Sequence, residues 1–434
     1  MRVSQIIAFV GTLLSANFAV ATIVTDQSAI ANGQTFDFVI VGAGLAGLTV
    51  ANKLSAENYS TLVIEAGPDG SWNNAVKYAE SFSYPPVFCN RNYPQYDEKG
   101  NKLPKSIHAG GCIGGSTSIN GMLWYRPTRA EIDRLETLGN PGWNWDTLEP
   151  LMEAIERNIP PNEEQILQGA SYDPNVHGYH GVVNTSFPDQ PGSAVSALVS
   201  KRYYNDTSII DGRNLFAPEV SLVNIDQIWP SSASAMTKSL TGPSSLKSRA
   251  QSLVEAGAAV NVEVPVAEVV ADSKPTALNA PFWPLMPLSR GHIHIASSDP
   301  FQNAIITPRF LTDAFDQAVG VAVARRLRNL FSNKAFQGVV ENAYQYPLLG
   351  LNATDSEYLN WFKDTAAGAS HWIGSTAMLP RALGGVVDSR LRVYGTRNIH
   401  VVDAGILPFQ LTSHTMSTLY AVAQRAAQII VEDC

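Results

Sequence analysis

Gly42, Gly44 and Gly47 stand at positions i, i+2 and i+5, and Glu65 closes the next apolar run. Those residue types in that order bind a dinucleotide. Gly42 permits a tight turn, Gly44 lets the backbone approach a pyrophosphate, and Gly47 lets a helix pack close to its strand. Glu65 lies where a carboxylate accepts hydrogen bonds from ribose hydroxyls. This turn does not separate NAD from FAD. A second group, Gly110, Gly111, Gly114 and Gly115, allows a backbone that wraps close to a ligand. Ser116, Thr117, Ser118 and Asn120 follow it with small groups able to bond a pyrophosphate or a ring edge.

The elements that must hold these groups are legible around them. Phe36 to Val41 is a buried-strand run, and Leu48, Val50, Ala51 and Leu54 continue with helical spacing. Thr61 to Ile64 makes the next strand. Strand, glycine turn, helix, strand and acid in register give an α/β, Rossmann-like unit with the phosphates at the helix N-terminus.

The 434 residues suffice for one large or two ordinary domains, and 45% hydrophobic content fits a sizeable core. A net charge of -8 argues against nucleic acid or an anionic membrane as partner. Arg2, the apolar run Ile6 to Leu14 and Ala19-Val20-Ala21 read as a cleaved secretory leader over residues 1–21. Sequons at Asn58, Asn184, Asn205 and Asn352 fit that route to a secreted glycoprotein. Three cysteines form neither a disulfide framework nor a metal-ligand spacing, and Cys112 reads as structural within its glycine loop. One disulfide is compatible with the sequence without being demanded by it.

The stretch "HAGGCIGGSTSINGMLWYRP" (108–127) resembles the first signature of the glucose-methanol-choline (GMC) oxidoreductases. The following "RPTRAEIDRLETLGNPGWNWDTLEPLMEAIE" is similar to the fungal glucose oxidase branch, as is Ala267 to Pro300. The stretch from Ser370 to Ile430 resembles the family's C-terminal block. The resemblance implies FAD as cofactor, contacted by Leu45, Ala46, Glu65, Ser116, Asn120, Gly121, Leu123, Ala404 and Met416. It implies an FAD domain over 35–125, 200–250 and 385–434, interleaved with an α+β substrate domain of antiparallel sheet and helices over 126–199 and 251–384. Within the C-terminal block, Val386 to Val393 and Ile399 to Asp403 read as strands, and Thr415 to Ile430 as a closing helix.

The family oxidises alcohols by hydride transfer to flavin N5, with oxygen or another electron acceptor completing the cycle. His371 and His414 match its catalytic pair, His371 as base and His414 as partner. A histidine titrating near neutrality suits removal of the hydroxyl proton. Glu268 matches a glutamate that orients the second histidine, and Trp283 an aromatic bordering the substrate. His292, His294 and His400 read instead as bonded core residues.

Two departures shape the expected substrate and fold. Glucose oxidases carry an arginine and an asparagine before the first histidine, whereas this chain has Ala367-Gly368-Ala369-Ser370. Losing buried polar partners removes selectivity for a polyol, so a less polar, aromatic or secondary-metabolite alcohol is expected. The Ser-rich stretch Ser231 to Ser252 also stands where the family has two strands and its second signature. Without those strands the sheet should show apolar edges. The competing reading is a truncated, non-catalytic glycoprotein without stable FAD.

Overall fold

The computed structural model describes residues 5–10, 20–24, 33–77, 87–124, 126–167, 172–187, 220–225, 265–270, 272–274, 277–299, 302–332 and 347–434, with a few isolated positions between 228 and 236. Nearly all of the Ser-rich stretch lies outside these residues, as does Asn205.

The dinucleotide unit is built as its sequence pattern requires. Strand β3 (Phe38–Val41) runs into the turn at Gly42, helix α1 (Leu45–Ala56) follows, and β4 (Thr61–Glu65) returns parallel to β3 with Val39 opposite Leu62. Gly47 is a packing requirement, because a Cβ there would lie 2.1 Å from the Gly42 carbonyl oxygen. The four-stranded sheet has the order β2-β1-β4-β3, where β1 is Gln5–Val10 and β2 Val20–Val24. Strand β1 lies antiparallel along β4. Cleavage after Ala21 would remove β1 and leave that edge of β4 without this partner.

Among the described residues β3 has no further neighbour at the other end of the sheet. Val39 is 56% and Val41 84% exposed, an apolar edge among the described residues. The other side of β3 is covered. Phe38 and Ile40 pack on a core shared by α1, α3 (Arg129–Thr137), α4 (Trp145–Ile155) and the closing helix α8 (Met416–Glu432). Val50, Leu54, Leu148, Met152, Val422 and Ala426 meet in that core, so the first and last motifs are packed as one body.

The remaining described strands form four further sheets. β10 (Pro265–Val270) is antiparallel to β13 (Phe282–Pro284) on one side and to β9 (Val220–Asn224) on the other. β5 (Asn90–Tyr96) and β6 (Lys102–Gly110) join β14 (His292–His294) and β15 (Ile305–Thr307) in the order β14-β15-β5-β6. Two pairs complete the set: β7 (Glu156–Ile159) with β8 (Val183–Ser186), and β11 (Asp272–Lys274) with β12 (Ala277–Asn279). Short helices α2 (Asn74–Lys77) and α5 (Glu163–Leu167) lie between strands. Helices α6 (Ala314–Phe331) and α7 (Asp355–Thr365) pack so closely that a Cβ on Gly320 would meet the Phe362 ring at 2.0 Å.

Two expectations are corrected. Residues 386–403 form isolated bridges, not strands: Val387 meets Val393 and Arg392 meets His400. Asp388 turns the chain there, its carboxylate accepting from the Arg390 and Arg392 amides, and Leu391 adopts φ 64°. His294 is exposed on β14 rather than bonded in a core, and His292 is only half-buried beside it. Of the three cysteines, Cys89 and Cys112 form the one disulfide that the sequence allowed, leaving Cys434 as the free, exposed thiol.

Candidate active site

The two glycine groups meet. Gly44 bridges Gly114, and the Gly114 amide donates to the Ala43 carbonyl at 2.8 Å. A Cβ at Gly115 would approach the Gly44 Cα to 2.9 Å, so the contact needs glycine. The disulfide fixes the same loop from below, and the Gly111 amide donates to the Cys89 carbonyl. Around Gly42, Gly44 and Gly121 there is open space, with nothing within 4 Å of a Cβ built there. Gly44 caps α1 without a side-chain acceptor, so the amides at the start of the helix, from Leu45 and Ala46, are available to an anion.

Glu65 is tied in more tightly than its spacing implied. It is 9% exposed, its Oε2 accepts from the Ala43 amide at 2.7 Å and its Oε1 from the Gly67 amide at 2.6 Å. It therefore braces the glycine turn, and either oxygen keeps a lone pair for a ribose hydroxyl. Ser116 and Asn120 are likewise engaged. The Gly110 amide donates to Ser116 Oγ at 3.1 Å, and Asn120 Nδ2 reaches Met416 Sδ at 3.4 Å. Leu123 lies half-buried just past Gly121. Ala404 opens a short 3-10 turn that Asp403 caps through the Gly405 amide. Burial holds the Asp403 carboxyl above the usual range.

The three residues assigned to chemistry converge from segments far apart in the chain. His371 Nε2 and His414 Nδ1 are 3.1 Å apart, with the rings perpendicular. His414 Nε2 lies 3.3 Å from Glu268 Oε1, and Glu268 is 0% exposed. Glu268 and Trp283 are register partners on β10 and β13, which sets the Trp283 ring edge-on to His414 at 5.8 Å. A carboxylate only accepts, so His414 Nε2 carries a hydrogen and its Nδ1 accepts from His371 Nε2–H. His371 Nδ1 is then the nitrogen left over. Burial, first, and the neighbouring His414, second, lower the His371 pKa to about 4, against the pull of Glu268.

Several residues escaped the sequence reading. Glu131 completes a capping box with Thr128 and also accepts from the Thr412 amide and hydroxyl, anchoring the chain two residues before His414. The Thr-x-x-Glu spacing signals the cap, but nothing local signals the reach to Thr412. Phe310 stands 6.1 Å from Trp372, the residue after His371, giving the site a second aromatic wall.

A GMC oxidoreductase N-terminal family model matches residues 36–182, and its C-terminal counterpart matches 287–423. The chain belongs to the GMC oxidoreductase family. A glucose oxidase-like protein of Humicola fuscoatra is 26% identical over 569 aligned positions, covering 93% of this chain and 97% of the relative. Glucose oxidase 2 of Penicillium expansum is 26% identical over 587 positions, covering 95% of each. Both alignments are longer than the 434 residues and so cross a long gap in this GMC chain. Among solved structures, an FAD-dependent oxidoreductase from Chaetomium thermophilum superposes with a TM-score of 0.77 at 19% identity, covering 92% of this chain and 99% of that one. A fungal aryl-alcohol oxidase gives 0.67 at 17%, covering 92% and 99%.

As a GMC oxidoreductase the protein is an FAD-dependent enzyme acting on CH–OH donors. The residues present fit that cofactor. The open cradle at Gly42, Gly44 and Gly121 and the uncapped start of α1 suit the pyrophosphate. Asn120 and Met416, joined to each other, would suit the ring side. Bound FAD supplies the hydride acceptor.

Proposed function

We propose that this GMC enzyme oxidises a comparatively apolar, aromatic alcohol, with His371 as base and His414 and Glu268 stabilising the charge that results. The supporting observation is the continuous line from Glu268 Oε1 through His414 to His371 Nε2, ending on a nitrogen without a partner among the described residues. The hydroxyl proton passes to His371 Nδ1 as the hydride leaves the carbon. His371 then passes its Nε2 proton to His414 Nδ1. The positive charge comes to rest on His414 beside the buried carboxylate of Glu268, where opposite charges attract most strongly. His371, poor at retaining a proton, is well suited to relay one.

The substrate class follows from the walls. Trp283, Trp372 and Phe310 supply ring surfaces. The four residues before His371 supply no arginine or asparagine to hold a sugar. Glucose is therefore expected to be a poor substrate. An anaerobic screen of sugars, aryl alcohols and aliphatic alcohols, read as bleaching of the flavin, tests this. Clear preference for glucose overturns it.

We also propose a secreted, glycosylated protein using oxygen or another soluble acceptor. Asn58, Asn184 and Asn352 are exposed. Among the described residues no helix is long and apolar enough to cross a membrane. The mass and N-terminal sequence of the protein recovered from culture medium test the leader and the sequons together.

A further inference from the structure

We infer that a cleft beside the histidine pair is a carboxylate subsite, so that the preferred substrate is an aryl alcohol bearing a carboxylate at its far end. This rests on the alcohol-oxidising reading above and names the substrate more closely. The cleft has a volume of about 280 Å³, and its lining includes Gln95, Lys105, Ser106, Phe310, Lys363 and Gly368. It adjoins the catalytic residues through Trp372. That ring contacts Phe310, and a Cβ on Gly368 would strike it at 2.2 Å. A substrate whose hydroxyl reaches His371 therefore lies along Trp372 and Phe310 with its other end in the cleft.

The polar groups of the cleft are arranged for an anion. Lys105 Nζ, from β6, donates to the main-chain carbonyls of Asp364 and Ala366. Those are neutral partners, and they leave one of its three hydrogens for a ligand. Among the described residues neither Lys105 nor Lys363 makes an ion pair. Gln95 is 3% exposed and lines the cleft, adding an amide to the two ammonium groups. Asp364 is the single carboxylate in the lining, leaving one excess positive charge and disfavouring a dianion such as phosphate. A carboxylate satisfies two ammonium groups and an amide with its two oxygens. The loop before His371 thus lacks its own cation but receives one from Lys105 on a different strand.

Titration calorimetry on the FAD-loaded, full-length protein tests the subsite with 4-(hydroxymethyl)benzoate and its methyl ester. The acid is expected to bind at least tenfold tighter than the ester, with the advantage shrinking at high salt. Lys363→Gln, at an exposed side chain, should reduce that advantage to less than threefold, as should Lys105→Gln if the protein still folds. Equal binding of acid and ester by the parent overturns the inference. So does an advantage that survives Lys363→Gln and the double variant, or displacement of the acid by inorganic phosphate at comparable concentration. The wider reading is separated by flavin bleaching with the neutral ester. Bleaching without any acid preference sinks the subsite alone. Lysine-dependent binding of the acid without bleaching by any alcohol sinks the catalytic reading alone.

Discussion

Replacing Glu268 by glutamine removes a charge from the catalytic line while keeping a group that can accept from His414 Nε2. Glu268 is fully buried, and its Oε1 is 3.3 Å from that nitrogen. At an effective dielectric near 20, unit charges at that separation attract by about 5 kcal/mol, an upper bound for what the carboxylate gives a cationic His414. Hydrogen bonds to charged groups have net values of about 1.5–3 kcal/mol. Taking about 2 kcal/mol as the loss when proton transfer develops that cation, flavin reduction should slow roughly 30-fold. FAD content should be unchanged, since the contacts of Glu268 with His414 and Trp283 do not involve the glycine turns and the carboxylate is replaced by a group of the same size. The assay is anaerobic stopped-flow bleaching with an accepted aryl alcohol, parent beside Glu268→Gln. A variant that reduces within threefold of the parent, with its fold and FAD intact, refutes the charge-stabilising role.

His371→Ala should slow flavin reduction by about 10²–10⁴-fold with FAD still bound, because general-base help is lost; unaltered bleaching in the same assay would make the pair structural. The His371 pKa lowered to about 4 keeps the base neutral well below the ordinary histidine range, so the acid limb of the reduction rate should fall near pH 4, and a limb near 6.5 would contradict it. Because the folded-state pKa lies below the unfolded one, only the unfolded chain takes this proton between pH 6.5 and 4, and His371 costs stability as pH falls through that window. Gly44→Ala and Gly47→Ala should separate binding from folding: the first enters open space and should lower FAD affinity in a stable protein, whereas the second meets a carbonyl at 2.1 Å and should lower the thermal midpoint sharply. Replacing Cys89 and Cys112 by serine opens a loop with a sequence separation of 23 and should cost about 3 kcal/mol in urea unfolding, most visibly as loss of FAD.

The glycine turn was legible because its steric demands are local. Gly42 and Gly44 leave space and Gly47 permits packing, and each follows from one turn between one strand and one helix. Helix α8 was legible because its buried face repeats at helical spacing, from Thr418 through Val422 to Ala426. Side-chain partners set by long-range packing were not. Glu65 spends both oxygens on backbone amides, and Glu131 holds Thr412 across 281 residues. The strands read over 386–403 failed because Asp388 competes for the amides that a ladder would use. The Cys89–Cys112 bridge depends on the turn that brings β5 and β6 back together, which three cysteines alone do not specify. The cleft gathers β5, β6, Phe310 and the end of α7, so no single segment announces it.

The most direct measurement of the central claim is the cofactor content and alcohol response of the purified protein. The full chain should be yellow. Heat denaturation should release FAD at about one per chain, and anaerobic addition of an aryl alcohol should bleach the flavin absorbance. Recovery of NAD, or a colourless protein that FAD cannot reconstitute, would contradict the account and favour a scaffold that has lost its chemistry with its central strands.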